Sequence, residues 1–138
     1  MARTILAVIA LALLIAGCVN QADSKKITDA QYAFFAQVQA KQYPAIYDQA
    51  APEFQAAMAR DTFIGFMQRI DRKLGDCKAP VKQMNWHVNA TQSGYFSTQG
   101  YTSACANGPL QQTLTIVLRG GEAKVVGYQA SSPLLLTD

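Results

Sequence analysis

Residues 110–130 read LQQTLTIVLRGGEAKVVGYQA, and this stretch has the pattern of a β-hairpin. Apolar and polar side chains alternate on both sides of Gly120-Gly121, which is the two-residue period of strands with one buried face. The two glycines permit the positive φ angles of a two-residue turn, and such a turn pairs Arg119 with Glu122. The predicted buried face carries Leu114, Ile116 and Leu118 opposite Gly127, Val125 and Ala123.

Two further strands are predicted before this hairpin. Apolar side chains alternate with polar ones after Pro80, and a longer strand pattern follows from Tyr95 to Ala106. The alternation places Trp86 toward the core and His87 toward solvent, because neighbouring side chains of a strand point to opposite faces.

The first half of the chain has the period of helices. Asp61 is a predicted N-cap and Gly75 a predicted end of the clearest helix. Its apolar positions recur at helical spacing, at Phe63, Phe66, Met67, Ile70 and Leu74.

Shorter helical segments precede that helix. Thr28 and Gln31 have the spacing of a capping box, which predicts a first helix from Thr28 to about Lys41. Tyr43-Pro44 and Pro52 start two short segments, since proline fits the first turn of a helix. Helices followed by strands predict an α+β domain, with the helices packed on an antiparallel sheet of about four strands.

The N-terminus has the pattern of an export signal. Arg3 precedes an apolar run over residues 5–17, which is shorter than the roughly 20 residues that a spanning helix needs. Ile15-Ala16-Gly17-Cys18 resembles the lipobox of bacterial lipoproteins, in which the cysteine receives a lipid. The predicted division is a signal peptide over 1–17, the lipidated Cys18 with a tether over 18–27, and one domain over 28–138. An ordinary signal peptide or a buried helix is the alternative.

The predicted location is the bacterial cell envelope, where the lipid anchor makes the membrane the first partner. Lipid chains stabilise membrane binding by about 0.8 kcal/mol per buried methylene, so two or more chains hold a protein stably. The residues after the cysteine are Val19 and Asn20. A sorting signal that retains lipoproteins in the inner membrane has an aspartate at this place, and this sequence has none. By that resemblance, the periplasmic face of the outer membrane is the expected site.

Composition excludes several classes of function. The formal net charge is +3, and no run of basic residues with interleaved aromatics is present, so nucleic-acid binding is not predicted. His87 is the single histidine, whereas a structural zinc site needs four close ligands. We therefore predict neither a metal site nor a cofactor.

The remaining two cysteines are Cys77 and Cys105. An exported domain meets an oxidising compartment in which paired thiols form disulfides, so we predict a Cys77–Cys105 bond. Two separate buried thiols are the alternative.

Four short segments, AFF at 33–35, KQYPAIY at 41–47, APEF at 51–54 and KVVGY at 124–128, resemble a family of small bacterial envelope proteins. That family has the nuclear transport factor 2-like fold, also called cystatin-like. The resemblance implies N-terminal helices packed in the curve of a bent sheet, with a cone-shaped pocket between them. Some proteins of this fold use the pocket for isomerase or dehydratase chemistry, and many use it only for binding.

No catalytic residue is predicted for that pocket. Proton abstraction next to a carbonyl needs a carboxylate held inside it, and Glu122, the one carboxylate between residues 81 and 130, lies beside the hairpin turn. His87 points outward on the predicted strand, and Asp48 has the spacing of an exposed helix face. The residues predicted to line the pocket, unless they are ordinary core, are Tyr32, Phe35, Tyr47, Phe63, Phe66 and Trp86.

The leading hypothesis is a non-enzymatic module that binds an envelope protein or a small apolar ligand. A pocket enzyme of isomerase or dehydratase type, with unrecognised catalytic residues, is the alternative.

A homodimer through the outer face of the sheet is also predicted, unless the tail over 133–136 covers that face. The side chains expected there are Thr113, Thr115 and Val117 with Tyr128, Val126 and Lys124.

Overall fold

The computed structural model describes residues 20–137, which form four helices followed by four strands. The predicted signal peptide and Cys18 lie outside the described residues. None of the helices in the described part has the length and hydropathy to cross a membrane. The elements are α1 (Gln21–Gln39), α2 (Tyr43–Gln49), α3 (Pro52–Ala57), α4 (Arg60–Leu74), β1 (Val81–Thr91), β2 (Gly94–Cys105), β3 (Gly108–Arg119), β4 (Glu122–Ser131) and a 3-10 turn, Pro133–Leu135.

The strands form one antiparallel sheet in the order β1-β2-β3-β4, and the helices pack on one of its faces, here called the inner face. The aromatic rings of α1 contact this face directly. Phe34 lies 4.9 Å from Tyr128 and Phe35 lies 4.7 Å from Tyr101, measured between ring centroids. Leu114 and Ile116 are completely buried beneath the helices. The predicted α+β architecture is confirmed.

The first helix begins earlier than predicted. The Asn20 side chain caps it by accepting a hydrogen bond from the Asp23 amide at 2.8 Å. Thr28 therefore lies inside the helix, where its hydroxyl donates to the Ser24 carbonyl at 3.1 Å. Ile27 belongs to the core. The prediction of a capping box at Thr28 and of a tether up to residue 27 is wrong for the described residues, because a stronger cap lies upstream.

The fourth helix matches its predicted pattern, with one difference at its start. Ala59 occupies the N-cap, and Asp61 lies in the first turn, where its carboxylate complements the helix dipole. Gly75 ends the helix with a φ of 69°. The apolar positions are buried at Phe63, Met67, Ile70 and Leu74 and half-buried at Phe66.

The β3–β4 hairpin has the predicted turn, because Arg119 pairs with Glu122 across Gly120-Gly121. The register then shifts between Thr115 and Ile116, so that Leu114 lies opposite Tyr128 and not opposite Gly127. This bulge turns Tyr128 to the inner face, which corrects its predicted place on the outer face. The Arg119 side chain donates to Glu53 at 2.6 Å instead of pairing with Glu122.

The edge strand β1 departs most from expectation. Trp86 lies opposite Gln99 and therefore on the inner side of the sheet, as its alternation predicts. However, α1 packs over β3 and β4, so β1 extends beyond the helical layer. The Trp86 side chain is 60% exposed, and its ring nitrogen donates to the Ser97 hydroxyl at 3.3 Å. The prediction that Trp86 faces a core is wrong.

A disulfide joins Cys77 and Cys105, and their Cα atoms lie 3.8 Å apart. Two backbone hydrogen bonds flank it, from the Lys78 amide to the Ala104 carbonyl and from the Ala106 amide to the Asp76 carbonyl. The predicted pairing is confirmed, and it fixes the segment after α4 against the end of β2.

The C-terminal segment packs on α4, on the helical side of the sheet. Arg69 donates to the Leu135 carbonyl at 3.0 Å, and Lys73 donates to the Thr137 carbonyl. The alternative in which residues 133–136 cover the outer face is therefore wrong.

Candidate functional site

A cleft of about 370 Å³ lies between α1 and the start of β1, and we call it the α1–β1 cleft. It forms because α1 packs over the far strands of the sheet while the disulfide holds the chain before β1 close to the sheet. Its lining is mostly apolar and consists of Gln31, Tyr32, Phe35, Ala36, Gln39, Ala79, Pro80, Lys82 and Tyr101.

Helical spacing supplies one wall of the cleft. Tyr32, Phe35, Ala36 and Gln39 stand at positions i, i+3, i+4 and i+7 of α1, which places them on one side of the helix. Phe35 is buried, whereas Tyr32 is 68% exposed. The exposure of the side chains in this wall therefore increases from the core to the rim of the cleft.

Tyr101 forms part of the opposite wall of the cleft, but its hydroxyl oxygen is closed off from solvent. Its side chain is 4% exposed, and its hydroxyl has no hydrogen-bond partner among the described residues. Burial raises the pKa of Tyr101 to about 12, and the nearby Tyr32 adds to the increase. The phenol therefore stays protonated, and no protein partner compensates for the desolvation of its hydroxyl group.

Lys82 lies directly opposite Tyr101 in the β1–β2 pairing. Residues directly opposite each other in an antiparallel pair share one face and have Cβ atoms about 4.5–5.5 Å apart. Lys82 is exposed and forms no salt bridge within residues 20–137. Lys82 thus adds a positive charge to the wall of the cleft that Tyr101 forms.

A second cavity, which we call the inner cavity, lies between the helices and the sheet and holds only about 80 Å³. Its polar groups satisfy one another: the Tyr128 hydroxyl donates to the Gln112 amide oxygen at 2.7 Å, and the Gln112 amide nitrogen donates to the Ser103 hydroxyl at 2.9 Å. Burial raises the pKa of Tyr128. This volume accommodates a few water molecules and no drug-sized ligand, whose sites hold about 300–1,000 Å³.

An ion pair lies at the mouth of this inner cavity. Lys41 donates to the Asp71 carboxylate at 2.9 Å, and this contact raises the pKa of Lys41. Tyr43 also lines the cavity, and its pKa is raised by burial first and by Asp71 second. The carboxylate that raises the pKa of this tyrosine is therefore already paired with a lysine.

The structure brings together two of the six predicted pocket residues, Tyr32 and Phe35. Tyr47 is buried instead in the closed core, where its hydroxyl donates to the Met58 carbonyl at 2.7 Å. Phe63 packs in the same aromatic group, with its centroid 5.3 Å from that of Phe54. Phe66 is half-buried against the core, and Trp86 lies on the exposed edge.

Two other residues that were considered for a catalytic role lie at the surface. His87 is exposed on β1. Asp48 accepts two hydrogen bonds from Arg60, at 2.8 and 2.9 Å, and these lower the pKa of the carboxyl group. Sequence reasoning missed Lys82 and Tyr101, although the alternation of β2 could have placed Tyr101 on the inner face.

We expect Tyr101→Phe to increase the free energy of unfolding of the ligand-free protein by about 1 kcal/mol, because it removes a buried donor that has no partner. Tyr128→Phe is the matched control and should have the opposite effect, since it breaks the bond to Gln112. Urea unfolding measures both values. A loss of stability in Tyr101→Phe would contradict the assignment of an unpaired hydroxyl.

No protein-family model and no curated protein matches this sequence. Solved structures do share its fold. One is a "putative dehydratase" of the nuclear transport factor 2-like family from Streptomyces avermitilis, with a TM-score of 0.54 and 14% identity over 79% of this chain and 94% of that one. Another is a nuclear transport factor 2-like protein from Cytophaga hutchinsonii, with a TM-score of 0.49 and 12% identity over 82% of this chain and 98% of that one. The likeness to the first of these structures confirms the predicted fold.

Proposed function

We propose that this chain, which has the nuclear transport factor 2-like fold, is a lipid-anchored protein of the bacterial envelope that binds a small apolar ligand without converting it. The α1–β1 cleft is the proposed site. Fold alone does not distinguish binding proteins from enzymes, so the proposal rests on the cleft itself.

The observation that carries the proposal is a mostly apolar cleft of about 370 Å³ between α1 and the start of β1. Its volume lies near the lower end of the range of about 300–1,000 Å³ for small-molecule sites. Such sites combine apolar walls with a few polar groups that orient the ligand. The polar residues Gln31, Gln39 and Lys82 line this cleft.

The anchor is proposed from the lipobox-like segment that ends at Cys18. Because α1 is capped by Asn20, only Val19 separates the proposed lipid from the start of the folded unit. This close spacing would hold the N-terminal end of α1 near the bilayer. The periplasmic face of the outer membrane remains the proposed location.

A partner protein is the second candidate, and one observation favours it. The edge strand β1 exposes Val81, Met84 and Trp86, and an open edge can pair with another strand. A pocket enzyme of isomerase or dehydratase type, with unrecognised catalytic residues, remains an alternative proposal. Self-association through the outer face stays a prediction.

Filling the cleft tests the leading proposal. Ala36→Trp is expected to weaken binding of the uncharged fluorescent probe N-phenyl-1-naphthylamine by about tenfold or more, because an indole would occupy the space of the ligand. Ala33→Trp is the matched control, since Ala33 is exposed on the same helix and does not line the cleft. Fluorescence titration measures both affinities.

The expected result is binding by the native sequence and by Ala33→Trp and its loss in Ala36→Trp. Absence of probe binding to the native sequence, or equal binding by all three proteins, would contradict the proposed site. A chain from residue 19 onward suits the measurement, because the described residues contain their own core and disulfide.

A further inference from the structure

Large exposed apolar side chains are concentrated in one region of the domain. Among the described residues there are five of them, and four either line the α1–β1 cleft or lie on the adjoining edge strand β1: Tyr32, Val81, Met84 and Trp86. We call these four side chains the β1 patch. The fifth, Leu136, follows the 3-10 turn that packs on α4. Exposed apolar patches mark surfaces that contact a protein or a membrane.

The β1 patch has the residue types of a membrane interface. The one polar atom of the Trp86 ring, Nε1, is already bonded to the Ser97 hydroxyl at 3.3 Å, so the exposed remainder of the ring is apolar. Tryptophan and tyrosine suit the boundary between water and hydrocarbon, because each combines an apolar ring with one polar tip. Lys82 stands next to Val81, and a lysine can bury its alkyl stem while its charge stays in water.

The sheet around the patch lacks acidic side chains. Residues 77–121, which include β1, β2 and β3, contain no aspartate or glutamate, and Asp76 and Glu122 flank this stretch. Lys78 and Lys82 are exposed and form no salt bridge in the described part of the chain. Binding to a bilayer increases with the apolar area that is buried and with attraction to anionic lipids. The charge of this region is therefore compatible with an anionic membrane surface.

We propose that the β1 patch is a membrane-binding surface, which lies against the lipid bilayer when the chain is anchored at Cys18. Two residues separate Cys18 from Asn20 and reach about 7 Å at most. From Asn20 to Tyr32, α1 rises by about 18 Å. The patch therefore contacts the bilayer when α1 lies along the surface, whereas an upright α1 would hold Tyr32 about 18 Å above its own first turn.

This inference rests on the proposed function and adds the orientation of the domain. With the β1 patch on the bilayer, the α1–β1 cleft opens at the lipid surface, because Tyr32 belongs to both. An apolar ligand then enters the cleft from the membrane. A patch of four side chains suffices, since a short tether converts docking into an intramolecular step with an effective concentration in the millimolar range.

The test uses Trp86, the single tryptophan of the chain, as the reporter. A chain from residue 18 onward is coupled through Cys18, the one cysteine outside the disulfide, to maleimide-phosphatidylethanolamine in vesicles of phosphatidylethanolamine and phosphatidylglycerol. Tryptophan at a membrane interface lies at the level of the headgroups, so nitroxide-labelled headgroups should reduce the Trp86 emission by about half. Vesicles without the nitroxide give the reference emission.

Two variants show whether the patch causes the contact. Val81→Ser with Met84→Ser removes exposed apolar surface and should restore at least about half of the lost emission. Leu136→Ser is the matched control, because it removes an exposed apolar side chain outside the patch, and it should leave the quenching unchanged.

Equal Trp86 emission with and without the nitroxide would overturn the membrane-binding surface and favour a protein partner for the patch. Quenching that the double variant leaves unchanged would also overturn it. The tether is supplied chemically, so neither result depends on lipidation of Cys18 in cells or on probe binding in the cleft. Failure of the surface and failure of the proposed function are therefore distinguished.

Discussion

Replacing both disulfide cysteines, Cys77→Ala with Cys105→Ala, is expected to lower the free energy of unfolding by about 3.5 kcal/mol. The bond closes a loop between cysteines separated by 28 positions, and opening it increases the conformational entropy of the unfolded chain. This loss is a large share of the roughly 5–15 kcal/mol that stabilises an ordinary domain. Urea unfolding of the oxidised protein and of the double variant measures it.

A reducing agent supplies the control for the disulfide experiment. Reduction of the native sequence should produce a similar loss of stability, whereas the double variant should not respond to it. Equal stability of the oxidised protein and the double variant would contradict the prediction. Because Ala79 and Pro80 follow Cys77 and line the α1–β1 cleft, the double variant should also bind N-phenyl-1-naphthylamine more weakly.

Replacing Cys18 with serine is expected to abolish lipid attachment and with it the association of the protein with membranes. The thioether forms on a thiol, which serine lacks, so the change removes the attachment atom and little else. Metabolic labelling of the full-length chain in bacterial cells with a fatty acid, followed by membrane fractionation, measures both effects.

The double cysteine variant serves as the control for labelling, because it keeps Cys18 and should keep the label. A Cys18→Ser protein that retained the label would show that lipid is attached elsewhere or that the lipobox-like segment has another role. A label absent from the native sequence would contradict the anchor itself while leaving the cleft proposal untouched.

Local signals explain the parts of the fold that were predicted correctly. The hairpin around Gly120-Gly121 and the helix over Phe63–Leu74 depend on period and turn chemistry within a short stretch of chain. The pairing of Cys77 with Cys105 followed from compartment and count, and the fold brings the two residues together. The hairpin and the helix could be predicted because few long-range contacts decide them, whereas the disulfide could be predicted because only two cysteines remain beyond Cys18.

Two errors in the predicted fold have local causes. Thr28-Gln31 has the form of a capping box, yet Asn20 begins the helix eight residues earlier and Thr28 becomes an interior residue. The run of alternating residues in β4 is broken by a bulge that turns Tyr128 inward. A bulge adds one residue to a strand without a distinctive sequence, so the two-residue period could not reveal it.

The sequence by itself determined the order of helices and strands, the turn of the last hairpin, the buried face of α4 and the disulfide. The tertiary structure alone decided which inward-facing side chains are covered. Trp86 and Tyr101 both lie on the inner side of the sheet, but one is 60% exposed and the other 4%. The position of α1 over β3 and β4 causes this difference, and it also opens the cleft beside Lys82. Side-chain alternation fixes direction within a strand, whereas burial depends on what packs above it.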